Sequence, residues 1–287
     1  MKALGTFVLA ALCVSVAGST ALAQNRSSDD SFAWSGRVAP GGTLRIKNLA
    51  GRITIERASG NQVEVSGVKE WRNGDPADVR FDVVTEGNLV TVCAIWFEGR
   101  CTDEQEKSGP RRSRDDDRNN DVSVNFTVKL PAGVKIDASG VSSDVHVTGA
   151  TAGVSAHSVS GNVVLNDVAG DIQVNSVSGD VQVRGATTGS IRANSVSGDV
   201  EIFVDQLTGT GDLTFSTVSG NVEITLPANL DATVRMTTLS GELTSDFPLT
   251  TQGDRGRRDR DVEARIGAGG RLLKFNSVSG DVILRRG

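Results

Sequence analysis

N-S-V-S-G-D-V, residues 175–181, recurs with small changes to the end of the chain. Near-copies read A-H-S-V-S-G-N-V at 156–163, N-S-V-S-G-D-V at 194–200, S-T-V-S-G-N-V at 216–222, T-T-L-S-G-E-L at 237–243 and N-S-V-S-G-D-V at 276–282. A degenerate copy at 139–145 carries Ser143 in the glycine place. Successive glycine positions, counting Ser143, lie 18, 18, 19, 22, 21 and 39 residues apart. A unit of that size cannot bury its own apolar face and must stack on its neighbours, as in a β-solenoid.

Aligned on the glycine, four columns are apolar in every copy, and they predict one buried face. In the 175–181 copy they are Ile172, Val174, Val177 and Val181, at seven, five and two residues before the glycine and two after it. The column two before the glycine runs Val141, Val159, Val177, Val196, Val218, Leu239 and Val278, and is expected to point inward with the others. The column six before it is polar throughout, with Asp137, Ser155, Gln173, Arg192, Thr214, Arg235 and Lys274. Each copy therefore reads as strand, tight turn, strand. Residues 44–55 fit the same template with Gly51 at the turn, so one further copy stands near the start.

The turn residues are Gly51, Gly161, Gly179, Gly198, Gly220, Gly241 and Gly280, expected to supply a positive φ at no steric cost. Asp180, Asp199 and Asp281, with Asn162 and Asn221, are expected to hydrogen-bond their own nearby backbone. The serines before the glycine, Ser142 to Ser279, read as turn hydroxyls satisfying backbone groups.

The chain opens with Lys2, a short apolar run and Ala21-Leu22-Ala23, which describe a cleaved secretory signal over 1–23 and no membrane span thereafter. Losing Lys2 moves the net charge from -5 to -6, and a mildly acidic surface argues against nucleic acid as partner. Cys93 and Cys101 remain, an even number in an oxidising compartment, and are expected to close a short disulfide loop.

Along the chain, 24–42 reads as an N-terminal arm and cap, and 43–98 as a β-rich part of the solenoid. Residues 99–121 read as a charged flexible loop, with almost no apolar residues to offset their ordering entropy. The repeat solenoid occupies 122–287, interrupted by a second charged loop at 245–271. The fold class is thus all-β, a parallel solenoid of 18–22-residue rungs.

These repeats, with L-P-A at 130–132 and again at 226–228 and the exported N-terminus, resemble the bacterial putative-adhesin family with β-strand repeats, formally a domain of unknown function. The resemblance covers roughly 43–286. It implies a β-helix-like fold outside the cytoplasm or at the envelope, and supplies no catalytic residue.

Candidate chemistry is sparse. A ladder of Asp144, Asp180, Asp199 and Asp281 could in principle hold calcium, but Asn162, Asn221 and Glu242 dilute it and the glycine-rich calcium nonapeptide is absent, so turn stabilisation is preferred. The aspartates at 115–121 lack the spacing of a calcium loop. Polysaccharide cleavage needs paired carboxylates and usually aromatic platforms, yet the repeats contain neither Trp nor Tyr. His146 and His157 fall in outward columns with nothing to complete a triad. Trp34, Trp71 and Trp96 are expected to cap the open end of the core. The reading is a non-enzymatic exported scaffold or adhesin-like surface without a cofactor, its partner an envelope protein or glycan bound by outward polar columns and the charged loops. The alternatives are an envelope-stress or signalling accessory binding another envelope protein, and, third, a carbohydrate-processing enzyme.

Overall fold

The computed structural model describes residues 24–27, 30–96, 99–101, 120–251 and 261–287. The expected signal segment and residues 102–119 and 252–260 of the charged stretches lie outside them. Among the described residues the strands run β1 (Gln24–Ser27), β2 (Ser31–Gly36), β3 (Thr43–Arg57), β4 (Val63–Glu70), β5 (Val79–Glu86), β6 (Leu89–Trp96), β7 (Ser123–Leu130), β8 (Lys135–Thr148), β9 (Val154–Ser158), β10 (Val163–Asn166) and β11 (Ile172–Ser178). They continue as β12 (Val181–Thr188), β13 (Ile191–Ser197), β14 (Val200–Leu207), β15 (Leu213–Ser219), β16 (Val222–Leu226), β17 (Ala232–Ser240), β18 (Leu243–Ser245), β19 (Thr250–Thr251), β20 (Asp261–Ile266), β21 (Arg271–Ser279) and β22 (Val282–Arg286). A single 3-10 turn, Pro76–Asp78, interrupts them.

Like residues stack on like. β11 lies parallel between β9 and β13, with Ile172 beside Val154 and Ile191, while β12 lies parallel between β10 and β14, with Val181 beside Val163 and Val200. Each copy is therefore one rung, two strands meeting at the S-G corner, and the expected parallel solenoid is the fold. Short links close the remaining side, where Ala169 donates to the Ala150 carbonyl at 2.7 Å and Thr187 to that of Val168 at 3.0 Å. The interior is a continuous apolar column through Ile136, Val154, Ile172, Ile191 and Leu213, flanked by Val145, Val163, Val181, Val200 and Val222, all essentially dry. Burial of this kind, about 25 cal/mol per Å² of apolar surface, drives the stacking of rungs that could not fold singly.

The rungs do not stack in sequence order. The last copy, β21–β22, inserts between the β15–β16 rung and the β17–β18 rung, with Leu273 beside both Leu213 and Val234. The 39-residue spacing is thus the length needed to travel past the end of the stack and return. Phe275 stacks on Phe215 at 5.3 Å between ring centroids. Arg271 anchors the inserted strand: its guanidinium donates to the carbonyls of Gly189 and Gly211, both at 2.9 Å, of Gly209 at 2.7 Å and of Thr208 at 3.3 Å. Partial burial holds the pKa of this arginine below its usual value, offset in part by Asp212.

The other end repeats the device. β6 and β7 form the outermost parallel rung, beside β3, which in turn lies against β8. The Cys93–Cys101 disulfide, Cα–Cα 5.8 Å, ties β6 to the described start of the first charged stretch. At its close Asp121 accepts from the amides of Gly74 at 2.8 Å, Arg72 at 3.2 Å and Asn73 at 3.1 Å, which hold its carboxyl below the usual carboxylate range.

Antiparallel strands then cover the ends, β5 on β6, β4 on β7, β2 on β4, β1 on β2 and β20 on β17. Such caps block edge-to-edge growth. Trp34 is buried in the N-terminal cap and the Trp96 indole donates to the Val122 carbonyl at 3.3 Å, whereas Trp71 is exposed.

A lysine has neither the planar fork nor the donor count to reach four carbonyls. Arg271→Lys is expected to lower unfolding free energy by about 1–3 kcal/mol in a denaturant titration; a change below about 0.5 kcal/mol would contradict the anchoring role.

Candidate functional site

The corner is built by parity. From Ile172 and Val174, which face inward, strand alternation carries Ser176 inward and Asn175 and Val177 outward. The chain then turns through Ser178, Gly179 and Asp180, all at the surface, and re-enters the core at Val181. The interior of the corner is lined by small hydroxyl residues, Ser158, Ser176, Ser195, Thr217, Ser277 and Thr238, all buried. Two of these inner hydroxyls reach corner carbonyls: Ser158 donates to Ser143 at 2.9 Å and Ser277 to Gly280 at 3.2 Å. The serines immediately before the glycine are exposed instead.

The glycines serve a second purpose beside the one expected. Gly51, Gly198, Gly220 and Gly280 have the expected positive φ, 116°, 150°, 144° and 150°, but Gly161, Gly179 and Gly241 do not. What all share is contact with the rung below: a Cβ at Gly179 would collide with the carbonyl oxygen of Gly161, one at Gly198 with that of Gly179, and one at Gly280 with that of Gly220. Gly51 meets the Val124 carbonyl and Gly241 that of Gly280 in the same way. The aspartates also act between rungs rather than on their own backbone. Asp180 accepts from the amide of Asp199 at 3.0 Å, Asp199 from that of Asn221 at 2.7 Å, and Asp281 from that of Glu242 at 2.9 Å. Asp144, Asn162 and Asn221 complete the series toward Asn162, Asp180 and Asp281.

The parity that lines the corner with hydroxyls overturns one sequence expectation: the column two before the glycine points to solvent. Leu49, Val141, Val159, Val177, Val196, Val218, Val278 and Leu239, in spatial order, are between 42% and 56% exposed. Eight stacked side chains at about 4.8 Å per rung make an apolar row roughly 34 Å long. Beside it lies an amide and hydroxyl row in which Asn194 donates to Asn175 at 2.7 Å and Asn175 meets the His157 ring at 2.8 Å. Between the rows, over Ser176, Ser195 and Thr217, runs a groove of about 470 Å³. His146 is exposed on β8, after the corner.

A second concavity of about 670 Å³ lies on the outer face of the first sheet, with Arg45, Asp137, Asp171, Arg192 and Asp212 along it. Its charges are mixed and partly satisfied: Arg45 pairs with Asp137 at 2.8 Å and Ser190 donates to Asp171 at 2.7 Å. Among the described residues no three His, Cys, Asp or Glu side chains are grouped to hold a metal ion, and no helix is long and apolar enough to cross a membrane. The apolar row and its groove are the feature that the fold's own packing does not consume.

A family model described as Toastrack DUF4097 matches residues 117–285. Among solved structures, the chain is similar to a putative cell adhesion protein from Clostridium sporogenes, at 10% identity and a TM-score of 0.40 over 92% of this chain and 100% of that one. It is also similar to a putative adhesin from Bacteroides fragilis, at 14% identity and a TM-score of 0.42 over 90% and 98%. No curated protein matches it.

The inter-rung ladder makes a chemical prediction. Asp180→Ala removes the acceptor of the Asp199 amide and should cost about 1 kcal/mol of unfolding free energy, whereas Asp180→Asn, which keeps that oxygen, should cost less than half as much. Equal losses in the two variants would show that charge, rather than the amide contact, stabilises the corner.

Proposed function

The chain belongs to the Toastrack DUF4097 family, and on that footing we propose that it is an exported, non-enzymatic scaffold that works by contact, an adhesin-like surface at the cell envelope. The observation that carries the reading is the exposed row from Leu49 to Leu239. Outward positions on a solvated strand are ordinarily polar, and the flanking columns here are so. A contiguous exposed apolar stripe is instead the usual mark of an interaction site. The row keeps its apolar character through copies that differ at many other positions, from T-T-L-S-G-E-L to N-S-V-S-G-D-V. The opening segment through Ala23, read as a secretory signal, supports placement in the periplasm or beyond.

The reading also places the working surface in the regular part of the solenoid. Val196 is central to the row and belongs to one of the N-S-V-S-G-D-V copies. A lysine there keeps its ammonium in water in the free protein, so the variant should fold.

The experiment immobilises the protein without residues 1–23 and compares its retention of envelope fractions from the native host with that of Val196→Lys, circular dichroism serving as the control for folding. Retention by the unsubstituted protein and at least tenfold loss in the variant are expected. Equal retention would remove the apolar row from the function.

A further inference from the structure

Resting on the reading of the apolar row as a contact surface, we infer that its occupant is a second copy of this chain, seated about a two-fold axis parallel to the row.

Shape is the first argument. A straight row of near-identical branched side chains at constant spacing, with a parallel groove beside it, is complementary to itself. Identical side chains from in-register parallel strands form dry, interdigitated contacts of this kind when two such faces meet. Rotation about an axis running along the row exchanges left and right while preserving height. The row of one copy then enters the groove of the other, and the reverse contact follows by symmetry. An axis across the row would set row against row and leave both grooves unfilled.

Charge is compatible with that axis over the last rungs of the stack. One margin of the face carries Arg192, Lys274 and Arg235, six residues before the glycine. The opposite margin carries Asp199, Asp281 and Glu242, one residue after it and on the same three rungs. On these three rungs the parallel two-fold brings a basic residue of each copy to an acidic residue of the other at equal height, while on the first two rungs it sets Arg45 near Arg52 and Asp137 near Asp144; within each chain Arg45 is paired with Asp137 and Arg235 with Glu263. The row itself holds no charge, so the net charge of -6 left after loss of Lys2 does not oppose contact at the centre.

Area is the third argument. A face roughly 34 Å long and five residues wide, about 17 Å at strand spacing, projects to nearly 600 Å² per copy. Side-chain relief brings this toward the roughly 800 Å² per partner of a standard specific interface. Because β5, β4, β2, β1 and β20 cover the ends of the stack, lateral pairing is also the route of association that the caps leave open.

The test is sedimentation equilibrium of the protein without residues 1–23, from about 1 to 100 μM, with two variants. The unsubstituted protein should be a dimer within this range. Val196→Lys would bury two uncompensated ammonium groups per dimer and should weaken association at least ~100-fold while circular dichroism stays unchanged. Val159→Cys lies toward one end of the row, and Cys93 and Cys101 are joined to each other, so the added thiol is the reactive one. A short bismaleimide should link Val159→Cys to its counterpart, since the parallel axis holds equal rungs at equal height.

A protein that stays monomeric to 100 μM overturns the inference, as does a dimer indifferent to Val196→Lys. A dimer in which Val159→Cys fails to cross-link overturns the parallel axis. If the protein is monomeric and Val196→Lys still loses its envelope ligand, self-association fails and the contact-surface reading stands; if the variant changes neither, both fail.

Discussion

The stack depends on one close approach, the glycine of each corner lying directly over the carbonyl of the corner below. A side chain there would collide with backbone, which cannot move without breaking the ladder. With the corner closed to that distance, the next residue's carboxylate or amide oxygen can accept the amide of the neighbouring rung, as Asp180 does for Asp199. Glycine followed by Asp or Asn is therefore a contact between copies as well as, at Gly198, Gly220 and Gly280, a local turn preference. A single copy has no use for that contact, and only the array gives it meaning.

The same corner decides what faces water. The corner is lined by buried hydroxyl residues such as Ser176 and Ser195. The apolar residue of the motif is left outside, and repetition turns one exposed valine into a row. The exposed apolar row is therefore a by-product of how the corner packs, and it runs through the most regular part of the described residues. Of the polar columns, where binding is expected from the sequence, Arg192 stands at one margin and Asp199 at the other.

Much of the fold was legible because period-two alternation and an 18–22-residue spacing leave few ways to bury the apolar columns. Ile172, Val174 and Val181 stand where the pattern puts them. Val177 does not, and the signal that places it outside was available. Inward positions seven and five before the glycine require the next inward residue to be three before it, which is Ser176. Recurrent apolar character outweighed parity and gave the wrong side. The spatial order of the rungs was not legible, because β21 and β13 carry the same N-S-V-S motif and either could stack at the end of the array. What distinguishes them is distant in sequence, chiefly Arg271 reaching the carbonyls of Gly189 and Gly209. The antiparallel caps had no repeat to announce them.

Both ends of the solenoid are closed by segments that leave sequence order, and between them the corner fixes one inward and one outward valine per rung. The direct test sets the two valines of a single motif against each other by replacing each with lysine. Val177→Lys should fold and unfold cooperatively, with a melting temperature close to that of the same protein in monomeric form. Val181→Lys should not fold, because it places an unpaired charge in the dry core. Equal loss of folding in both variants would mean that Val177 lies inside the solenoid, and would contradict the corner geometry on which the account rests.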